Sequence, residues 1–127
     1  MMADLDHFKL INDNHGHLAG DKVLKEVAGR IKAGLREFDV VGRYGGEEFV
    51  ILLENTSVHT AHQIAERIRL RIGSEPVHVA GHDMQVTISQ GLALCSQGDD
   101  SHSVLSRADQ AMYRAKQAGR NCIVEQV

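Results

Sequence analysis

Apolar residues recur at helical spacing in three stretches of the chain. Leu24, Val27, Ala28, Ile31 and Leu35 fall on one face of a helix expected from Asp21 to Leu35. A second helix is expected from Ser57 to Ile72, with Ala61, Ile64, Ala65, Ile68 and Ile72 on one stripe. Ser57 or Thr60 would cap it, and Gly73 and Pro76 would close it. A third, begun by Ser101 or Ser103, carries Val104, Leu105, Ala108, Ala111, Met112 and Ala115 and stops at Gly119. A shorter helix holds Phe8, Leu10 and Ile11 and ends near Asn14 and Gly16. Between the helices lie apolar runs of strand length: Met2 to Leu5, Val40 and Val41, Phe49 to Leu53, Val77 to Val79, Val86 to Leu94, and Cys122 to Val124. Gly45 and Gly46 separate the second and third runs, where a two-residue hairpin turn needs positive φ. Gly81, His82 and Asp83 are expected to turn the fourth run into the fifth. Gly91 inside the fifth marks a bulge or a close approach to a helix. The order β-α-α-β-β-α-β-β-α-β predicts an α/β fold, a mixed central β-sheet flanked by helices.

Composition narrows this only a little. A chain of 127 residues is the size of one domain, here residues 1–127. A net charge of −3 argues against broad nucleic-acid or anionic-membrane binding. The longest aliphatic and aromatic run, Phe49 to Leu53, is far too short to span a bilayer. The opening Met1-Met2-Ala3-Asp4 lacks the basic and apolar regions of a signal peptide, so a cytoplasmic location is expected. Cys95 and Cys122 read as reduced core residues. The eight histidines form no metal set, although His15 and His17 share a loop.

The chemistry lies at element ends. Asp4 closes the first strand, and Glu47 is expected to begin the strand after the glycine hairpin. If those strands are neighbours the two carboxylates meet, and with the Leu5 carbonyl they offer the oxygen ligation that magnesium prefers. Two such ions can bind a triphosphate, activate a hydroxyl and stabilise a leaving oxygen. Asp6 either shares a face with Asp4 or caps the following helix. Glu47 and Glu48 are adjacent, so they point to opposite faces and differ in role. The Phe8 and Lys9 amides, in the first turn of a helix, can cradle phosphate. Lys116 and Arg120, four apart near a helix end, either bind phosphate oxygens or compensate the helix dipole. Asn12 and Asp21 supply an amide and a carboxylate that suit guanine; the alternative is that they are turn and helix-start residues.

The chain resembles the GGDEF family of diguanylate cyclases. The resemblance runs through Asp4-Leu5-Asp6-His7-Phe8-Lys9-Leu10-Ile11-Asn12-Asp13, Gly16-His17, Gly20-Asp21 and Arg43-Tyr44-Gly45-Gly46-Glu47-Glu48-Phe49. It continues through Thr87-Ile88-Ser89-Gln90-Gly91, Ala108-Asp109, Tyr113, Ala115-Lys116 and Gly119-Arg120-Asn121. It implies a fold like the nucleotidyl cyclase and polymerase palm, and condensation of two GTP into cyclic di-GMP with loss of pyrophosphate. By the same resemblance Asp4, the Leu5 carbonyl and Glu47 hold Mg2+ (or Mn2+), and Glu48 supports the metal or helps deprotonate the attacking hydroxyl. Asn12 and Asp21 read guanine; Phe8, Lys9, Lys116 and Arg120 hold phosphates; Gly45 and Gly46 let the nucleotide lie against the turn. Each subunit holds one GTP, so catalysis implies an antiparallel homodimer.

Arg36-Glu37-Phe38-Asp39 fits the family's Arg-x-x-Asp inhibitory motif, and Arg67 matches the position of a second arginine. The resemblance therefore implies product feedback by cyclic di-GMP; the alternative is a surface Arg–Asp pair joining a helix to a strand. Three departures stand out. Glu47 replaces the family's usual Asp, Gln90 replaces an apolar residue, and the upstream Asp-x-Leu-Thr-x-Leu-x-Asn-Arg segment is missing. With that segment absent, the strand holding Asp4 is expected to be poorly anchored and turnover weak. The alternative function is a module that binds cyclic di-GMP or GTP as a receptor.

Overall fold

A computed structural model describes residues 1–126; Val127, the end of the expected domain, lies outside the described residues. The elements are β1 (Met2–Leu5), α1 (Phe8–His15), α2 (His17–Gly34), β2 (Val40–Gly45), β3 (Glu48–Leu52), α3 (Val58–Ser74), β4 (Val77–Val79), β5 (His82–Met84), β6 (Ile88–Ala93), α4 (Ser101–Gln117) and β7 (Ile123–Gln126). Five strands form the main sheet in the order β2-β3-β1-β6-β7. It is mixed: β1 runs antiparallel to β3 and β6, while β6 and β7 are parallel.

Side-chain alternation in β1 divides the two faces. Ala3 and Leu5 join Phe49, Ile51 and Ile88 in the main core beneath α1, α2 and α3. The helical stripes read from the sequence supply that core, since Val27, Ile31, Ile64, Ile68 and Ile72 are all buried. Met2 points to the other face and packs on Ala108 and Met112 of α4. Gly91 sets how close α4 comes. A Cβ there would lie 2.1 Å from the Ala108 carbonyl oxygen and 2.3 Å from the Met112 nitrogen. Close helix packing, rather than a bulge, explains that glycine.

Caps fix the helix starts. Ser57 Oγ accepts from the Thr60 N–H at 3.1 Å, which settles the N-cap of α3 on Ser57. At α4 the cap is Asp100, not a serine: its carboxylate accepts from the Ser103 N–H at 2.8 Å and Ser103 Oγ accepts in return.

Four further expectations change in the fold. The expected turn at Gly81-His82-Asp83 is instead Ala80-Gly81, both at positive φ. His82–Met84 then folds back on β4 as a separate two-stranded sheet, leaving β6 free to enter the main sheet. In the central hairpin the loop is Gly46-Glu47, because Gly45 pairs with Glu48 across a register shift after Arg43. Glu47 therefore lies in the turn, and Glu48 begins β3. The strand carrying Asp4 is not poorly anchored: β1 is paired on both sides and all four of its residues are buried. Cys95 is exposed rather than in the core; Cys122 is half-buried and both thiols are free.

Candidate active site

The register of β1 and β3 builds the site. Asp4 pairs directly with Glu48, so both side chains leave the sheet on the α4 face. Glu47 lies one residue away in the turn, where its carbonyl accepts the Leu5 N–H at 3.3 Å. From α4, Lys116 places Nζ 2.8 Å from Asp4 Oδ2. Burial pushes the Asp4 carboxyl up to about 6; Lys116 opposes the rise, while Glu47 and Glu48 add to it. Burial also raises Glu48, helped by the negative charges of Asp109 and Glu47. The resemblance implies no role for Asp109, which stands on α4 near Glu48. Its position seven residues before Lys116 puts both on one helix face, and that spacing was readable from the sequence.

The turn is braced and open. Arg43 Nε donates to the Gly46 carbonyl at 2.8 Å, and Gly46 takes φ 48°. A Cβ at Gly45 or Gly46 would meet no protein atom within 4 Å, so the space above the turn is clear.

Across β1, His7 takes left-handed backbone and α1 begins without a side-chain cap. The first helical bonds run from the Leu10 and Ile11 amides to the His7 carbonyl, leaving the Phe8 and Lys9 amides at the positive end of the helix. Gly16 then bends the chain into α2. Gly20 meets α1 so closely that a Cβ would lie 1.9 Å from Asn12 Oδ1. That Asn12 oxygen is buried and has no hydrogen-bond partner among the described residues. Asp21 follows, exposed, at the rim of a cleft of about 590 Å³ walled by Leu24, Val41, Gly42 and Phe49.

Two expected placements change. Arg120 is not on the helix face with Lys116, because α4 ends at Gln117 and Arg120 has φ 65°. Its amide returns to the Ala115 carbonyl at 3.1 Å, and its side chain is exposed. Asp6 does not cap α1 but shares the face of Asp4. Its carboxylate accepts from Thr87 Oγ1 at 2.7 Å, Ser89 Oγ at 2.6 Å and the Asn121 N–H at 3.0 Å.

The Arg-x-x-Asp corner lies elsewhere. Arg36 donates from Nε and Nη2 to the two Asp39 oxygens, each at 2.9 Å, and from Nη2 to Glu54 and Thr56. Its guanidinium lies 4.7 Å above the Phe38 ring. The Asp39 side chain is wholly buried and its carboxyl is held below the usual range by Arg36, so it is not open to a base as it stands. Arg67 donates to the Gly34 carbonyl at the end of α2. Both arginines keep Nη1 without a partner among the described residues. Gln90 is fully buried and donates to the Ala65 carbonyl at 2.9 Å, which gives this polar residue a tie to α3.

Among the described residues no three His, Cys, Asp or Glu side chains converge as a complete metal cage. The donor set still fits magnesium, which is held by one or two carboxylates together with substrate phosphates. A half-buried acidic corner with a single lysine against it is short of positive charge.

The family described as diguanylate cyclase, GGDEF domain, matches residues 1–122. The chain belongs to the GGDEF family. Diguanylate cyclase DgcP of Pseudomonas aeruginosa is 49% identical over 120 residues, which are 94% of this chain and 18% of DgcP. The chain thus spans about a fifth of that relative's length. Among solved structures, diguanylate cyclase SiaD from Pseudomonas aeruginosa, in complex with its activator SiaC, superposes with TM-score 0.95 at 39% identity, over 98% of this chain and 48% of SiaD. The GGDEF domain of DgcB from Caulobacter crescentus, in complex with c-di-GMP, gives 0.92 at 35% identity, over 98% of this chain and 74% of that one. The α/β architecture is therefore that of GGDEF domains. Among the described residues no helix is long and apolar enough to cross a membrane.

Proposed function

We propose that this GGDEF chain is one half-site of a diguanylate cyclase, binding one GTP and, paired antiparallel with a second copy in the cytoplasm, joining two GTP into cyclic di-GMP with release of two pyrophosphates. The observation that carries this reading is the direct pairing of Asp4 with Glu48 beside Glu47, under the glycine turn. Asp4, Glu47 and the Leu5 carbonyl would hold Mg2+, or Mn2+ in its place. Such an ion, when bound, neutralises the triphosphate and makes the 3′-hydroxyl more acidic. The chain's own groups do the positioning. The unpartnered Asn12 oxygen accepts from the guanine N1 and N2 donors, with Asp21 at the rim. The Phe8 and Lys9 amides and the Arg120 side chain take the β- and γ-phosphates, and Lys116 turns to them from Asp4. Glu48 stands beside the reacting oxygens, where its raised pKa suits it to take the 3′-hydroxyl proton. The oxygen then attacks the partner's α-phosphorus in line, and pyrophosphate leaves.

Purified chain incubated with GTP and Mg2+, with products separated by chromatography, tests the reading. Cyclic di-GMP and pyrophosphate should form in a 1:2 ratio. The rate should climb faster than linearly with protein concentration and be weak in dilute protein. Saturable GTP binding with no product at any concentration would leave a receptor module instead.

Feedback at Arg36, Asp39 and Arg67 belongs to the same proposal. The free Nη1 groups of the two arginines would engage guanine of the product, with Asp39 released to it only if Arg36 turns outward. Arg36→Ala should then abolish product inhibition while leaving initial rates intact; unchanged inhibition would remove this site from the account.

A further inference from the structure

Asp6 is a buried acid, held by three hydrogen bonds, that the proposed chemistry does not use. It is 4% exposed and forms no salt bridge among the described residues. Its three donors come from two segments distant in sequence: Thr87 and Ser89 at the start of β6, and the Asn121 backbone beyond α4. Asn121 and Arg120 both hold left-handed backbone, at φ 47° and 65°, without being glycine. Such backbone persists only where its surroundings fix it. The Asp6 carboxylate is one of those ties. A second is Arg69 of α3, which donates Nη1 to Asn121 Oδ1 at 3.1 Å and is itself held by Glu66 through two bonds. A third is the Arg120 amide on Ala115.

We propose that Asp6 is a positioning residue for triphosphate binding: its carboxylate, with Arg69 as a second anchor, holds the 118–122 turn so that Arg120 is presented beside the Asp4 end of β1 and the first turn of α1. This rests on the nucleotide reading above. It explains why a buried carboxylate, which is costly to desolvate, sits two residues from Asp4: it ties the strand carrying the acids to the loop carrying the cation. The Asn121 N–H cannot reverse its polarity as a hydroxyl can, so an acceptor at this point is obligatory.

The test compares binding of GTP and GMP by calorimetry in Mg2+ for wild type, Asp6→Ala, Asp6→Asn and Arg69→Met. An amide can still offer one oxygen to Asn121 and Thr87 while its NH2 faces Ser89 Oγ, so Asp6→Asn is the rescue. Asp6→Ala should weaken GTP by about tenfold or more and GMP by less than about threefold, since the misplaced group reaches only the outer phosphates. Asp6→Asn should stay within about threefold of wild type for both. Arg69→Met, remote from the core, should lower GTP alone by about two- to fivefold, and it carries the test if Asp6→Ala does not fold. Equal losses of GTP and GMP, or an unchanged ratio in Arg69→Met, would overturn the proposal. Wild type binding neither nucleotide would instead overturn the nucleotide reading itself.

Discussion

Asp4→Asn should make the protein more stable at neutral pH while disabling it. The Asp4 carboxyl is raised from its ordinary 3.8 to about 6, a value that already includes the help it receives from Lys116. The difference corresponds to about 3 kcal/mol between its two protonation states. The sign follows from linkage. Between about pH 4 and pH 6 the folded chain keeps a proton that the unfolded chain has released, so stability falls as pH rises through that window. Above it the ionised, buried carboxylate carries the full penalty. Asparagine fixes the neutral form, so the two proteins should be equally stable near pH 4 and differ by up to about 3 kcal/mol, in favour of the variant, at pH 7. Glu48 is raised too, but it is present in both chains and largely cancels in the difference. Urea unfolding in EDTA at half-unit steps from pH 4 to 7.5 reads this directly. Added Mg2+ should narrow the difference, since the ion proposed to be held by Asp4 would stabilise wild type more than the variant. A stability difference that is flat with pH, or that grows in favour of wild type, would show that Lys116 outweighs burial and would refute the reasoning.

Gly20→Ala should drive Asn12 from its place, because the new Cβ would stand 1.9 Å from Oδ1; GTP binding should fall at least about tenfold for a stability loss of about 1–3 kcal/mol, read by calorimetry and melting. Gly91→Ala collides with α4 backbone rather than a movable side chain, so it should lose more than about 3 kcal/mol and leave little soluble protein. Lys116→Met should tighten Mn2+ binding without nucleotide, measured by paramagnetic resonance, because the ammonium and the divalent ion contend for Asp4 Oδ2; the same variant should bind GTP about tenfold more weakly.

The helices were legible because their signal is local. Stripes such as Ile64, Ile68 and Ile72 need only one helix to be recognised, and all three are buried. Strand pairing is a contest between distant segments. Nothing within 77–94 says whether Val77–Val79 will pair with β6 or with His82–Met84, and two residues at positive φ decide it. Ala80 gave no warning, since alanine is not a left-handed residue by preference. The hairpin slipped by one residue for a similar reason: with two glycines adjacent, either could open the turn, and only the shift after Arg43 selects Gly46. That slip matters chemically, because it moves Glu47 off the strand and puts Glu48 opposite Asp4.

Asp6 shows the remaining limit. In the sequence, Asp4 and Asp6 look alike: two acids on one strand end, both able to bind a cation. What separates them is which side chains stand opposite. Asp4 is raised first by burial, with Glu47 and Glu48 adding to the rise and Lys116 only partly opposing it. Asp6 faces two hydroxyls and an amide, a set of donors that satisfies a carboxylate without a metal. The divalent-ion capture proposed for this site calls for the first kind of acid, buried and under-compensated. The second kind stands nearby, fully satisfied. In the positioning role proposed for it, Asp6 ties the strand end that carries Asp4 to β6 and to the turn beyond α4.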